Sequence, residues 1–211
     1  MKTSSLTKIG ILFFVIFLII IFLFMFVKNY KKTKSSGAIL FLGDSITERY
    51  KLDKYLFNYN TINSGIGGNT TNDILNDIDK RVNNYSFDKV FILIGINDLL
   101  FTEETNEEIV TNIEKIIDSI DNKRAVIYLE SIYPVNTDKV TDIPKDSNTK
   151  INEMNKLLEN ICNKGKCNYI NMHDKLTDKQ GNLKKLYTND GIHISKIGYI
   201  KVTKELLNYM K

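Results

Sequence analysis

A short, continuously apolar run constrains the fold of this chain more than any other feature. Residues 90–94 read Val-Phe-Ile-Leu-Ile, and the run ends at Gly95. A strand with one face in water would alternate apolar and polar residues, whereas an unbroken run is typical of a strand covered on both faces by helices. The run therefore predicts a parallel sheet lying between two layers of helices.

Four further runs of strand length agree with this interpretation. The predicted strands cover residues 38–42, 59–63, 89–95, 124–130 and 167–172. Between them, apolar residues recur three and four apart, as at Ile109, Ile113, Ile116 and Ile120. Strands that alternate with amphipathic helices form parallel sheets with right-handed crossovers. Residues 38–211 are thus predicted to form an α/β domain, a three-layer α/β/α sandwich around a mainly parallel five-stranded sheet.

A second apolar segment precedes this domain. Residues 9–27 contain no charged side chain, and as a helix they would reach about 28 Å, close to the ~30 Å hydrocarbon thickness of a bilayer. No small-residue cleavage site follows closely, which favours an uncleaved anchor over a signal peptide. The prediction is a short N-terminal tail and transmembrane helix in residues 1–27, a basic polar tether in residues 28–37, and the α/β domain in residues 38–211.

The charge distribution argues against a nucleic-acid partner. Six of the 29 basic residues lie in residues 1–37, which contain no acid, so 23 basic residues face all 25 acidic ones in residues 38–211. That remainder has a net charge of −2 and offers no broad basic surface for a polyanion. The positive net charge of the whole chain belongs to the flanks of its apolar segment.

The sequence leaves the membrane orientation open. Two lysines before the apolar segment and four after it favour a cytoplasmic domain, whereas a short tail followed by one span is typical of a signal anchor that exports the domain. Cys162 and Cys167 could form a disulfide outside the cell or remain two free thiols inside it. We expect a single-pass protein of the cell membrane with its domain outside the cytoplasm.

Several polar clusters lie where predicted strands end, at one edge of the sheet. The clusters are Gly43-Asp44-Ser45, Gly67-Gly68-Asn69, Gly95-Ile96-Asn97-Asp98 and Asp190-Gly191-Ile192-His193. Acyl transfer needs a nucleophile, a base, a group that orients the base, and donors for the oxyanion. Ser45 can supply the hydroxyl, His193 the base and Asp190 the orienting carboxylate. The Asn97 amide and the backbone N–H groups of Ser45 and Gly68 can supply the oxyanion donors.

These blocks, in this order, resemble the SGNH or GDSL-like hydrolase family over nearly all of residues 38–211. The resemblance implies a flavodoxin-like SGNH fold, with Ser45 as nucleophile and His193 and Asp190 completing the triad. It also implies an oxyanion hole formed by Ser45, Gly68 and Asn97. Two positions depart from the family pattern. Ile46 stands where the family's older name has leucine. The second departure is an asparagine at position 69, where an aspartate often follows the glycine.

Other residues of the sequence are weaker candidates for a functional site. His173 also precedes an aspartate, but that carboxylate is too near in sequence to orient the ring as Asp190 could. Gly65–Gly68 lacks the Lys-Ser/Thr ending of a phosphate-binding P-loop. Two histidines and two cysteines that do not cluster predict no metal site, and the resemblance implies no cofactor.

The predicted function is therefore a membrane-anchored serine ester hydrolase acting on a short-chain acyl ester, such as an O-acetylated glycan or a lysophospholipid. An O-acetyltransferase acting on a cell-envelope glycan with the same triad is the alternative. A catalytically inactive binding domain is a third possibility. The sequence identifies neither the acyl-chain length nor the oligomeric state.

Overall fold

The structure is a computed structural model that describes residues 10, 12–21 and 37–210. The chain divides into two units, Met1–Ser36 and Gly37–Lys211. In the first unit, residues 12–21 are helical. The second unit contains the sheet and the predicted site residues.

The predicted transmembrane helix is not found, and this part of the fold prediction is wrong. No helix among the described residues is long and apolar enough to cross a membrane. The ten residues 12–21 are helical, but ten residues rise only about 15 Å, half of the ~30 Å that a span requires. Residues 9, 11 and 22–27 of the predicted span lie outside the described residues, as do the tail 1–8 and residues 28–36 of the tether.

The second unit has the predicted three-layer α/β/α architecture. Its strands are β1 (Ala38–Gly43), β2 (Asn60–Gly65), β3 (Lys89–Leu93), β4 (Val126–Glu130) and β5 (Asn168–Ile170). Its α-helices are α1 (Ser45–Glu48), α2 (Leu52–Tyr55), α3 (Thr71–Asn76), α4 (Ile96–Phe101), α5 (Asn106–Asp118), α6 (Ser147–Asn163), α7 (His173–Leu176) and α8 (Lys196–Leu206). A π-helical turn covers Asp79–Asn83, and a 3₁₀ turn covers Lys185–Tyr187. All neighbouring strands are parallel, in the order β2-β1-β3-β4-β5.

The interior strand β1 shows why both faces of the sheet are covered. Successive side chains of a strand point to opposite faces. Leu40 and Leu42 of β1 lie in one buried apolar cluster with Ile109 of α5. Phe41 lies in the other, with Tyr199 of α8. The unbroken apolar runs in the sequence follow from this two-sided burial.

The register of β1 brings three chain segments to one edge of the sheet. Gly43, the last residue of β1, is level with Gly65 at the end of β2 and with Leu93 at the end of β3. The loops that follow these strands therefore leave the sheet side by side. This places the segments around Ser45 and Asn97 at the carboxyl edge, where parallel sheets bind ligands.

The two cysteines form a disulfide, Cys162–Cys167. The bond closes the short connection from the end of α6 to the start of β5. The sequence left this pair open between a disulfide and two thiols. No free cysteine is present in the described part of the chain.

Candidate active site

Ser45 is positioned by a very close approach between α1 and the sheet. A Cβ atom at Gly43 would lie only 2.3 Å from the Leu93 carbonyl oxygen and from Thr47 Oγ1, so only glycine fits there. Asp44 is fully buried and caps α1, because its Oδ1 accepts a 2.8 Å hydrogen bond from the Ile46 N–H. Burial raises the pKa of Asp44 to about 7. Asp44 therefore supports the turn that presents the hydroxyl of Ser45.

A continuous chain of hydrogen bonds connects the three residues predicted as a triad. Ser45 Oγ lies 3.0 Å from His193 Nε2, although 148 residues separate the two in sequence. On the other side of the imidazole, His193 Nδ1 lies 2.7 Å from Asp190 Oδ2. With its proton on Nδ1, the ring donates to the carboxylate and leaves Nε2 free to accept the serine proton. The geometry is that of a base held between a hydroxyl and an orienting carboxylate.

Asp190 is held in its ionised form by donors from its own turn. Its Oδ1 accepts hydrogen bonds from the backbone N–H groups of Ile192 (3.0 Å) and His193 (2.8 Å). Partial burial acts to raise the pKa of Asp190, but the hydrogen bonds from the His193 side chain and from these two N–H groups outweigh it and lower the pKa to about 2. The carboxylate is therefore charged at neutral pH.

The residues predicted as oxyanion donors, Gly68 and Asn97, lie on two segments that touch each other. Asn97 lies in the first turn of α4, after Gly95, whose φ of +112° is accessible mainly to glycine. Its Nδ2 donates a 2.8 Å hydrogen bond to the Asn69 carbonyl oxygen, and the amide has a second N–H to offer. A Cβ at Gly67 would lie 3.8 Å from Ser45 Cβ, so this loop passes beside the nucleophile. The adjacent Gly68 is exposed, with φ of +78°.

The position of Asn97 is reinforced by the residue that follows it. Asp98 is fully buried, and its Oδ1 accepts hydrogen bonds from the Thr71 backbone N–H (2.8 Å) and hydroxyl (2.5 Å). Asn112 of α5 also donates to the Thr71 hydroxyl, at 3.1 Å. These bonds tie the start of α4 to α3 and α5, so the Asn97 amide is carried by a packed element rather than a free loop.

No motif in the sequence pointed to Arg81. This residue joins the two halves of the site, the turn that carries Ser45 and the loop that carries Asn69. Its side chain is buried, and Nη2 donates a 3.0 Å hydrogen bond to the Gly43 carbonyl oxygen directly before the Asp44–Ser45 turn. The guanidinium also donates to Ser64 at the end of β2 and to the side-chain oxygen of Asn69. It thus connects the end of β1, which leads to Ser45, to the loop that carries Asn69.

A signal for Arg81 was present in the sequence. Ile74 and Ile78 define the apolar stripe of this segment, and position 81 follows Ile74 by seven residues, on the same face of a helix. An arginine on that stripe must be buried, and a buried guanidinium needs several acceptors. Asn69, the departure from the family pattern, is one of those acceptors.

The other candidates in the sequence lie away from Ser45. His173 is buried in α7, where its backbone N–H donates to Ser131 Oγ and its Nδ1 lies 3.3 Å from Asp174 Oδ1. A cavity of about 470 Å³ is lined by residues such as Val126 and Cys167, so it lies at the amino ends of β4 and β5, opposite the catalytic edge. Over the described ranges, no group of three or more histidine, cysteine or acidic residues is arranged to hold a metal ion.

Comparisons with known proteins agree with this architecture. Residues 41–200 match the GDSL-like Lipase/Acylhydrolase family. A solved structure from Streptococcus pneumonia, provisionally described as a platelet activating factor, is 32% identical to this chain with a TM-score of 0.77, over 99% of this chain and 100% of that one. The lipase/acylhydrolase from Enterococcus faecalis is 24% identical with a TM-score of 0.69, over 82% of this chain and 97% of that one. At that lower identity the likeness shows the fold alone.

One curated relative is matched in part. The chain is 33% identical over 124 residues to N-acylneuraminate cytidylyltransferase of Escherichia coli, which is 58% of this chain but 28% of that enzyme. The chain therefore spans little more than a quarter of the curated relative that it matches. With the family match covering most of the sheet and every cluster at its carboxyl edge, the chain belongs to the GDSL-like lipase/acylhydrolase family.

Proposed function

We propose that the protein hydrolyses short-chain acyl esters with Ser45 as nucleophile, His193 as general base and Asp190 as the residue that orients the base. The observation that carries the proposal is the unbroken hydrogen-bonded path from Ser45 Oγ through both nitrogens of His193 to Asp190 Oδ2. No step of this chemistry requires a cofactor.

In the acylation step, Ser45 Oγ attacks the ester carbonyl carbon while its proton moves to His193 Nε2, 3.0 Å away. The imidazolium that forms lies against the ionised Asp190 carboxylate, which stabilises its positive charge. The tetrahedral intermediate collapses when His193 returns the proton to the departing alcohol. The acyl group is then attached to Ser45 as an ester.

In the deacylation step, His193 takes a proton from water, and the resulting hydroxide attacks the acyl carbonyl. This second tetrahedral intermediate collapses when His193 returns the proton to Ser45 Oγ, which breaks the acyl–serine bond and releases the carboxylic acid. The negative oxygen of each tetrahedral intermediate is stabilised by three donors: the Ser45 N–H, the Gly68 N–H and the second N–H of Asn97. The Ser45 N–H suits this role, since it begins α1 and an N–H at that position has no partner within the helix. Preorganised donors of this kind stabilise developing charge in the transition state more than the substrate.

For the substrate we propose an O-acetylated glycan or a lysophospholipid. The curated relative acts, by its name, on an N-acylneuraminate, so an O-acetylated N-acylneuraminate belongs in the substrate panel. A panel of esters with increasing acyl length, assayed with the wild type, identifies the preferred acyl group. Product analysis with a glycan acceptor separates hydrolysis from acetyl transfer, because a transferase acetylates the acceptor faster than it releases acetate.

The test of the mechanism is the pair of variants Ser45→Ala and His193→Ala, assayed on a short chromogenic acetate ester. Both should lose hydrolysis, since one lacks the nucleophile and the other the base. His173→Gln is the matched control, because it alters the chain's other histidine, which lies in α7 away from Ser45. Full activity of either triad variant would refute the mechanism.

We also propose that the domain works in an oxidising compartment outside the cytoplasm. The support is the Cys162–Cys167 disulfide, since such bonds persist mainly in exported proteins. Thiol labelling of protein taken from intact cells, with and without prior reduction, tests this. Labelling before reduction would contradict it.

A further inference from the structure

A positively charged cleft lies next to the triad. Its volume is about 320 Å³, and no acidic side chain lines it. The lining includes Arg49, Lys51, Lys54, Tyr55, Lys196 and Tyr199. We call this the basic cleft.

The basic cleft adjoins the catalytic residues. Arg49 Nη1 lies 4.0 Å from Asp190 Oδ2. Two further lining residues, Asn189 and Ile194, are the immediate sequence neighbours of Asp190 and His193. A molecule bound in the cleft would therefore lie beside the imidazole that contacts Ser45.

The three lysines of the basic cleft keep their charge, whereas its arginine, Arg49, pairs with Asp190. No ion pair joins Lys51, Lys54 or Lys196 to an acid in the part of the chain that the structure describes. Lys54 Nζ lies 5.3 Å from the centre of the Tyr55 ring, a contact that leaves its charge intact. The nearby acid Glu48 faces the other side of the nucleophile, with Oε2 3.0 Å from the Cβ position of Gly67.

Two lysines of the adjoining surface, by contrast, are bound to neighbouring oxygen atoms. Lys185 forms a 2.9 Å ion pair with Asp138. Lys139 Nζ donates to the backbone carbonyl oxygens of Lys185 and Thr188. The lysines of the basic cleft thus differ from these neighbours, in a domain where acids outnumber basic residues overall.

We propose that the basic cleft binds an anionic group of the substrate, a carboxylate or a phosphate, while the acyl ester of the same molecule reaches Ser45. A cleft lined by charges of one sign concentrates ligands of the opposite sign and raises their association rate. This inference rests on the proposed function and narrows it from esters in general to acyl esters that carry a negative charge.

The test compares matched neutral and anionic esters. One pair is an O-acetylated methyl glucoside and the corresponding O-acetylated methyl glucuronide, which adds a carboxylate. The other pair is monoacetylglycerol and acetylglycerol phosphate, which adds a phosphate. For the wild type, kcat/KM should favour the anionic member of at least one pair by about tenfold or more at low salt. The pair that shows the preference distinguishes a carboxylate from a phosphate.

Salt and substitutions then test the location of the effect. The preference should shrink when the ionic strength rises from about 0.01 M to about 0.5 M, because salt screens exposed charges. The triple variant Lys51→Gln, Lys54→Gln, Lys196→Gln should lower the anionic-to-neutral ratio of kcat/KM towards one. Arg49 is left intact because it contacts Asp190. The control is a second triple variant of exposed lysines that do not line the cleft: Lys80→Gln, Lys115→Gln, Lys156→Gln.

The outcomes separate this inference from the proposed function. Ser45-dependent hydrolysis without any charge preference would overturn the inference and leave the esterase mechanism intact. An equal loss of preference in the cleft variant and the control variant would also overturn it, since the effect would then come from overall charge. Failure to hydrolyse any ester would overturn the proposed function and the inference together.

Discussion

Replacing Arg81 by methionine tests how the two halves of the site are held together. Methionine retains an unbranched apolar stem but none of the donors. The carbonyl oxygens of Gly43 and Ser64 and the side-chain oxygen of Asn69 then lose their hydrogen bonds from the guanidinium, although the Gly43 oxygen keeps a 3.1 Å hydrogen bond from the Ile66 N–H. Each unsatisfied buried acceptor costs about 1–3 kcal/mol. Replacing the guanidinium also removes the free-energy cost of burying its charge, and this offsets part of the loss in stability.

The net expectation for Arg81→Met is a loss of about 3 kcal/mol in the free energy of unfolding, measured by urea denaturation. The catalytic effect is separate. Gly43 leads into the nucleophile turn and Asn69 contacts Asn97, so loosening both should misplace the hydroxyl relative to the oxyanion donors. A misplacement of about 1 Å costs about 10²-fold in rate, and the loss should appear in kcat. The shape of the pH profile of kcat should stay unchanged, because Arg81 does not contact His193.

Two controls sharpen this experiment. Arg124→Met removes an exposed arginine and should change neither quantity by a measurable amount. Arg81→Lys keeps the charge but lacks the planar set of donors, and should recover only part of the stability. The reasoning is refuted if Arg81→Met retains wild-type kcat while fully folded. A loss of stability with unchanged kcat per folded molecule would make Arg81 purely structural.

Three further predictions concern individual side chains. Asn97→Ala should lower kcat by about 10²-fold if the amide stabilises the oxyanion. Circular dichroism should show that the fold is retained. A decrease of less than about threefold would show that Asn97 is not an oxyanion donor. Burial raises the pKa of Glu130 from 4.5 to about 7, partly offset by the hydrogen bond from the Tyr133 hydroxyl. The folded state therefore holds this proton more tightly than the unfolded state, so Glu130 destabilises the protein progressively as pH rises from about 4.5 to about 7, by at most about 3 kcal/mol. Glu130→Gln should flatten the pH dependence of urea stability in that window, and an unchanged curve would contradict the assignment. Asp190 changes stability with pH in the opposite direction. Its pKa falls from 3.8 to about 2 on folding, so its contribution to the free energy of unfolding is present above pH 3.8 and lost as pH falls towards 2. Asp190→Asn should abolish that part of the acid unfolding curve, whereas a wild-type curve would show that the carboxylate is not held as the structure indicates.

The sequence by itself determined the architecture of the domain, because that information is local. The unbroken run at residues 90–94 and the isoleucine stripe beginning at Ile109 each report how their own side chains are buried. The same periodicity indicated where the polar clusters lie in the fold, since each comes where a predicted strand or turn ends. The identity of Ser45 as the candidate nucleophile depended on that order and on the family resemblance.

Local patterns also have limits, and residues 9–27 show one of them. Their composition alone predicted a transmembrane helix, whereas no helix among the described residues is long and apolar enough to cross a membrane. Likewise, the spacing of Cys162 and Cys167 fits a disulfide and two thiols equally well. Only the arrangement of the backbone between α6 and β5 decides that the two sulfur atoms meet.

The tertiary structure alone decided which distant residues act on one another. The sequence puts Arg81 on an apolar helical stripe, but only the packing of its segment against β1 and β2 makes it a donor for both loops of the site. The basic cleft is similar, because it joins Arg49 from the end of α1 to Lys196 at the start of α8. Such contacts depend on the path of the chain between the residues. A helix or strand pattern carries no information about that path, so the charge and the donors that surround Ser45 became visible only in the folded domain.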